Sequence, residues 1–102
     1  MSEPEPDYRL FGSALAYHSL GRKQESDAAL AQLIAKYPGM AFQTAEAYAF
    51  RGQPDRAFEW VERAYAQRDG GLAHMKGDPL LKNIEHDPRY AAFLSKMHLP
   101  LN

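Results

Sequence analysis

No cysteine occurs among the 102 residues, which excludes a disulfide scaffold, thiolate metal sites and a cysteine nucleophile. The β-branched residues are nearly missing as well: Val61, Ile34, Ile84 and Thr44 stand against sixteen Ala and eleven Leu. Stiff β-branched side chains favour strands, while Ala and Leu lose little freedom in a helix, so the predicted fold class is all-α. The longest unbroken apolar run, Tyr90 to Leu94, has five residues, far short of the ~20 that a membrane-spanning helix needs. The net charge of -1 is too balanced for a general polyanion binder, whose affinity for phosphate comes from an excess of Lys and Arg. Met1-Ser2-Glu3-Pro4-Glu5-Pro6-Asp7 is acidic and proline-punctuated, the reverse of a secretory signal with its basic start and apolar middle. These absences predict a cytoplasmic single domain that binds neither nucleic acid nor membrane.

Signs of catalysis are equally scarce. There is no Gly-x-Ser-x-Gly elbow, P-loop or Gly-x-Gly-x-x-Gly turn. His18, His74, His86 and His98 form no His-x-x-x-His pair, the spacing that sets two ligands on one helix face. Arg51, Arg56, Arg63 and Arg68 are interleaved with Asp55, Glu59 and Glu62, which marks a solvated helix face. No catalytic, cofactor or metal site is predicted, and the expectation is a protein that is not an enzyme.

What is present is helical periodicity. Leu10, Phe11, Ala14, Tyr17 and Gly21 recur at three- and four-residue steps from a cap at Asp7. A second helix from about Gln24 carries Leu30, Leu33, Ile34 and Tyr37 inward and stops at Pro38-Gly39. A third, from about Met40 to Arg51, presents Phe42, Ala45, Tyr48 and Ala49. A fourth starts at Pro54, turns Ala57, Val61, Ala64 and Tyr65 inward with Phe58 and Trp60 beside them, and breaks at Gly70-Gly71.

These four helices are two copies of one unit. A shift of 31 residues superposes Phe11 on Phe42, Ala14 on Ala45, Ala16 on Ala47, Tyr17 on Tyr48, Gly21 on Gly52 and Ala35 on Ala66. Ser26 falls on Ala57 and Leu30 on Val61. Each unit is an antiparallel hairpin that cannot bury its apolar stripe alone.

The pattern resembles the tetratricopeptide repeat, a helix-turn-helix of ~34 residues with residue types fixed at set offsets. The first unit holds Leu10, Ser13, Ala14, Tyr17, Ser26, Leu30 and Pro38 at those offsets, and the second Ala41, Thr44, Ala45, Tyr48, Ala57, Val61 and Asp69. Ala41 stands where the family has tryptophan, and Asp69 where it has proline. The resemblance implies a short α-solenoid of two stacked, tetratricopeptide-like hairpins. The predicted division is a flexible acidic tail over 1–6, repeats over 7–38 and 40–70, and a helical cap over 71–102.

The last third does not repeat the pattern. Asp78-Pro79 and Asp87-Pro88 each pair a capping carboxylate with a proline at the first helical position. They predict a short helix near Leu72–Lys76, a turn near Pro79–Ile84 and a helix from Pro88 to about Met97, with Tyr90, Phe93, Leu94 and Met97 on one face. This segment looks like the cap that closes tetratricopeptide arrays in bacterial regulatory proteins.

In that family the first helix of each hairpin lines a concave groove. The resemblance therefore implies a partner-binding surface of Tyr8, Phe11, Leu15 and His18 from the first unit and Phe42, Gln43, Glu46 and Phe50 from the second. Phe11, Leu15 and Gln43 replace the family's carboxylate-clamp side chains, so the implied ligand is an apolar peptide or protein face and not a free carboxylate. The same aromatic positions suit core packing under the C-terminal cap. The implied function is non-catalytic binding of a protein or peptide. The alternatives are self-association as a homodimer, or service as a regulatory appendage of a bacterial signalling system.

Overall fold

Seven helical segments run through the residues described by the computed structural model, which are 6–68 and 70–97, without the side chains of 6–8 and 74. They are α1 (Pro6–Ser19), α2 (Lys23–Lys36), α3 (Ala41–Phe50), α4 (Pro54–Ala66), two 3-10 helices (Gly70–His74 and Pro79–Ile84) and α5 (Pro88–Lys96). No strand occurs among the described residues. The expected acidic tail lies outside them except for Pro6, which opens α1. Asp7 is therefore inside the helix and not its cap.

The 31-residue register is visible bond by bond. Gly21 and Gly52 have φ of 76° and 74°, a left-handed turn that glycine adopts without a Cβ penalty. Arg22 N–H donates to Tyr17 O at 2.8 Å, and Gln53 N–H to Tyr48 O at 2.9 Å. Gly21 N–H donates to His18 O and Gly52 N–H to Ala49 O, both at 3.0 Å. Each set is a Schellman closure, which satisfies carbonyls left open at the end of a helix. The residue that completes it, Arg22 or Gln53, also stands at the N-cap of the next helix, where neither makes a side-chain cap bond. So short a turn leaves no residue free for a separate cap.

Small residues let the helices of a hairpin approach. Ser26 Oγ donates to Ala14 O at 2.7 Å in the buried crossing of α1 and α2. The first hairpin buries Ala14, Ala29, Leu30 and Leu33 together with Ala47 of α3. A larger cluster joins Phe42, Ala45 and Ala49 of α3 and Phe58, Trp60 and Val61 of α4 to Leu72, Met75, Leu81, Ile84, Phe93 and Leu94. The two hairpins thus stack as a short solenoid, and the C-terminal segment closes the second.

That segment is held by its predicted caps. Asp78 accepts from Leu80 N–H and Asp87 from Arg89 N–H, each at 2.9 Å. The buried Tyr90 hydroxyl donates to Met75 O at 3.2 Å, and burial pushes its phenol pKa up. Arg89 bridges to Asp55 at 3.0 Å and Lys96 to Glu62 at 2.7 Å, which ties α5 to α4. Solvent screens these exposed pairs, so burial of Phe93 and Leu94 does most to hold α5.

Two expectations need correction. α4 does not run to Gly70-Gly71: it ends at Ala66, and Arg68 takes the left-handed conformation with φ of 56°. Gly70 instead opens the first 3-10 helix. Tyr65, expected inward, is 41% exposed: α5 sets the Phe93 ring edge-on to it at 5.7 Å and Lys96 Nζ 4.7 Å from its ring centroid, and leaves the rest open. Asp69, at the family's proline position, lies outside the described residues.

A Cβ at Gly21 or Gly52 would meet nothing within 4 Å, so its cost is conformational and not steric. Gly21→Ala and Gly52→Ala should each lower stability in urea by about 1–2 kcal/mol, whereas Arg68→Gly should leave it unchanged or raise it. Asp87 gives a separate expectation in acid. The Arg89 guanidinium, and then its backbone N–H, hold the Asp87 carboxyl down to about 2 from 3.8. A depressed folded-state pKa means that its contribution is present above 3.8 and lost as pH falls through about 2. Denaturation across that window should show a smaller acid dependence in Asp87→Ala.

Candidate functional site

The groove that the repeat register points to is half filled by the protein itself. Phe42 is 3% exposed and belongs to the same cluster as Leu72, Met75, Leu81 and Ile84. Asn83 of the second 3-10 helix donates through Nδ2 to Ala49 O and Phe50 O, both at 3.2 Å, and so caps the end of α3. The returning segment thus occupies α3 as a bound peptide would. Phe42, expected in the partner surface, is a core residue and unavailable to a partner.

What remains open runs along α1 and over the end of α3. Phe11 and Leu15 are half-buried, packed against the core of the first hairpin. His18 and Phe50, both half-buried, meet edge to face with ring centroids 5.6 Å apart and planes at 70°. This contact bridges the two repeats, with α1 supplying one ring and α3 the other. Gln43 and Glu46 are half-buried on α3. Tyr8 lies in the first turns of α1, and its side chain is outside the described residues. The structure thus brings His18 and Phe50 together, sets Phe11 and Leu15 along the same helix, and removes Phe42.

Two of the clefts outside this strip are lined by ion pairs. One, of about 340 Å³, is floored by Phe58, Ala92 and Phe93 between α4 and α5. The Arg89–Asp55 and Lys96–Glu62 pairs span its walls, so an occupant would have to break them. The other, of about 420 Å³, lies between the hairpins with Lys23, Asp27, Tyr48, Arg51 and Gln53 on its walls. Asp27 accepts from Lys23 and from Arg51, whose side chain is only 5% exposed, and both bonds hold its pKa below the usual value. These groups neutralise one another across the repeat junction. No hydrogen-bond partner reaches the buried Gln53 Oε1. No local pattern marks Arg51 for enclosure, because its partner lies 24 positions away.

No three His, Asp or Glu side chains come together as metal ligands among the described residues. His86 is exposed, while the His74 side chain and His98 lie outside that description. No helix of the described residues is long and apolar enough to cross a membrane.

Phe42→Ala should behave as a core truncation, lowering stability by about 3–5 kcal/mol. Phe50→Ala, at the half-exposed end of α3, should cost about 1–2 kcal/mol, since its ring makes one aromatic contact and buries only part of its surface. Equal losses in chemical denaturation would contradict this division between core and surface.

The comparisons with known proteins agree with the geometry. Residues 10–39, which span α1, α2 and the turn after them, match the tetratricopeptide repeat family. No curated protein and no solved structure matches the chain. Tetratricopeptide repeats are generally protein–protein interaction modules, typically without catalytic activity. The first hairpin matches the tetratricopeptide-repeat family, and the second repeats its closing hydrogen bonds 31 residues later.

Proposed function

We propose that the protein is a non-catalytic binding module that takes a protein or peptide partner on the strip formed by Phe11, Leu15, His18 and Phe50, with Gln43 and Glu46 at its polar margin. The observation that supports this reading is the His18–Phe50 ring contact. It is a half-exposed aromatic pair at the junction of the repeats, beside a groove whose other half is already filled by the protein's own chain. Aromatic side chains offer large contact area at low entropic cost, and such residues dominate binding energy in protein interfaces. Because Leu81 and Ile84 take up the α3 side, the partner is expected to be short or to lie along α1 rather than to fill a long concave channel.

The recognised chemistry is apolar, with a ring face or aliphatic chain set against His18 and Phe50. The His18→Ala/Phe50→Ala chain should keep its helical circular dichroism. It should bind a partner protein retained by the wild-type chain roughly thirtyfold more weakly, the loss expected of a ~2 kcal/mol hot spot. Unchanged affinity in a folded double variant would place the binding surface elsewhere.

A further inference from the structure

Neutralisation in the 420 Å³ cleft between the hairpins is incomplete. Lys23, Arg51 and Arg56 stand on its walls against Asp27 alone. Asp27 is one carboxylate shared between two cations, accepting from Lys23 Nζ at 3.0 Å and from Arg51. Arg56 makes a long 3.4 Å contact to Glu59, which Arg63 also approaches at 3.3 Å and which lies outside the cleft. Three cations against one carboxylate leave an excess of two positive charges, in a chain whose net charge is -1.

Two features distinguish this cleft from a solvated charged surface. The Arg51 side chain is 5% exposed and held by Asp27, so its guanidinium is in place before any ligand arrives. A preorganised cation spares a ligand the cost of ordering it. Gln53, on the same wall, has a buried Oε1 that no donor reaches. A buried acceptor without a partner is unfavourable. The terminal amide torsion of glutamine is soft, so a small turn presents Oε1 to the cleft. The walls thus supply donors for an anion and an acceptor for a proton carried by that anion.

This combination selects the ligand. Hydrogen phosphate has a double negative charge to match the excess and keeps a proton at neutral pH. Sulfate has the same charge and shape without the proton, and a phosphate monoester loses its last proton with a pKa of about 6. We propose that the cleft binds hydrogen phosphate, with Lys23, Arg51 and Arg56 donating to its oxygens and its P–O–H donating to Gln53 Oε1. Anions without that proton leave Gln53 unpartnered and set a bare oxygen near the Asp27 carboxylate, so the site discriminates against them. Lys23 opens α2, while Arg51 and Arg56 belong to the second hairpin, so the bound ion ties the two repeats together.

The test is calorimetric titration of the full chain at pH 8 and constant ionic strength, with sodium phosphate, sodium sulfate or phenyl phosphate up to roughly 20 mM. Phosphate should saturate one site and bind at least about tenfold more tightly than the other two. Arg56→Gln should keep its circular dichroism, since that side chain is 63% exposed, and should weaken phosphate binding by about tenfold. Lys82→Gln removes the same charge from the exposed surface of the second 3-10 helix and should leave binding unchanged. Gln53→Met, at a position whose side chain makes no cap bond, should lower the preference for phosphate over sulfate. Absence of saturation, equal binding of sulfate or phenyl phosphate, equal losses in Arg56→Gln and Lys82→Gln, or an unchanged preference in Gln53→Met would each overturn the proposal.

Discussion

Everything in this small solenoid is arranged around a helix that can be approached from all sides. α3 is touched by α1 and α2, by α4, and by both 3-10 helices. Ala41, Ala45, Ala47 and Ala49 are each 0% exposed. Helices surrounded in this way must sit close together, at ~8–10 Å between axes, and alanine is the side chain that permits such distances while favouring the helix most. Larger side chains then extend to the sides where space exists: Phe42 toward the C-terminal segment, Tyr48 toward the first hairpin and Phe50 toward His18.

This constraint changes the meaning of the C-terminal third. Removal of residues 70–97 would uncover Phe42 and the apolar face of α4, and no other described element could close them. The segment is a structural part of the second hairpin and covers the Phe42 side of α3. The two ends of the stack differ for the same reason. Toward the C-terminus, the Arg89 guanidinium of α5 lies 4.7 Å from the ring centroid of the buried Phe58; on α1, Ala16 and Leu20 are exposed.

Much of this was legible in the sequence, and the limits have physical causes. The helices, the glycine turns and the Asp-Pro caps were readable because each depends on dihedral preferences and hydrogen bonds spanning four or five residues. The repeat register was readable because equivalent positions meet equivalent neighbours, as the paired bonds from Arg22 to Tyr17 and from Gln53 to Tyr48 show. The offset of Phe42 fitted both the groove and core packing under the C-terminal cap, and only its burial beside Leu72, Met75, Leu81 and Ile84 decides for the core. The Asn83 bonds to Ala49 and Phe50 span 34 and 33 positions and leave no local trace. The end of α4 was misplaced for a different reason: Gly70-Gly71 is the expected helix stop, but Arg68 adopts the left-handed turn before the glycines are reached.

Native-state amide hydrogen exchange decides whether α3 holds this position. If it is the shared element, the amides of α3 are protected to the full free energy of unfolding, because they open only when every neighbour leaves. In dilute solution those of α1, covered on fewer sides, should exchange through a smaller, local opening. Exchange of α3 as fast as that of α1, or at a rate set by fraying of the C-terminal segment alone, would contradict the arrangement described.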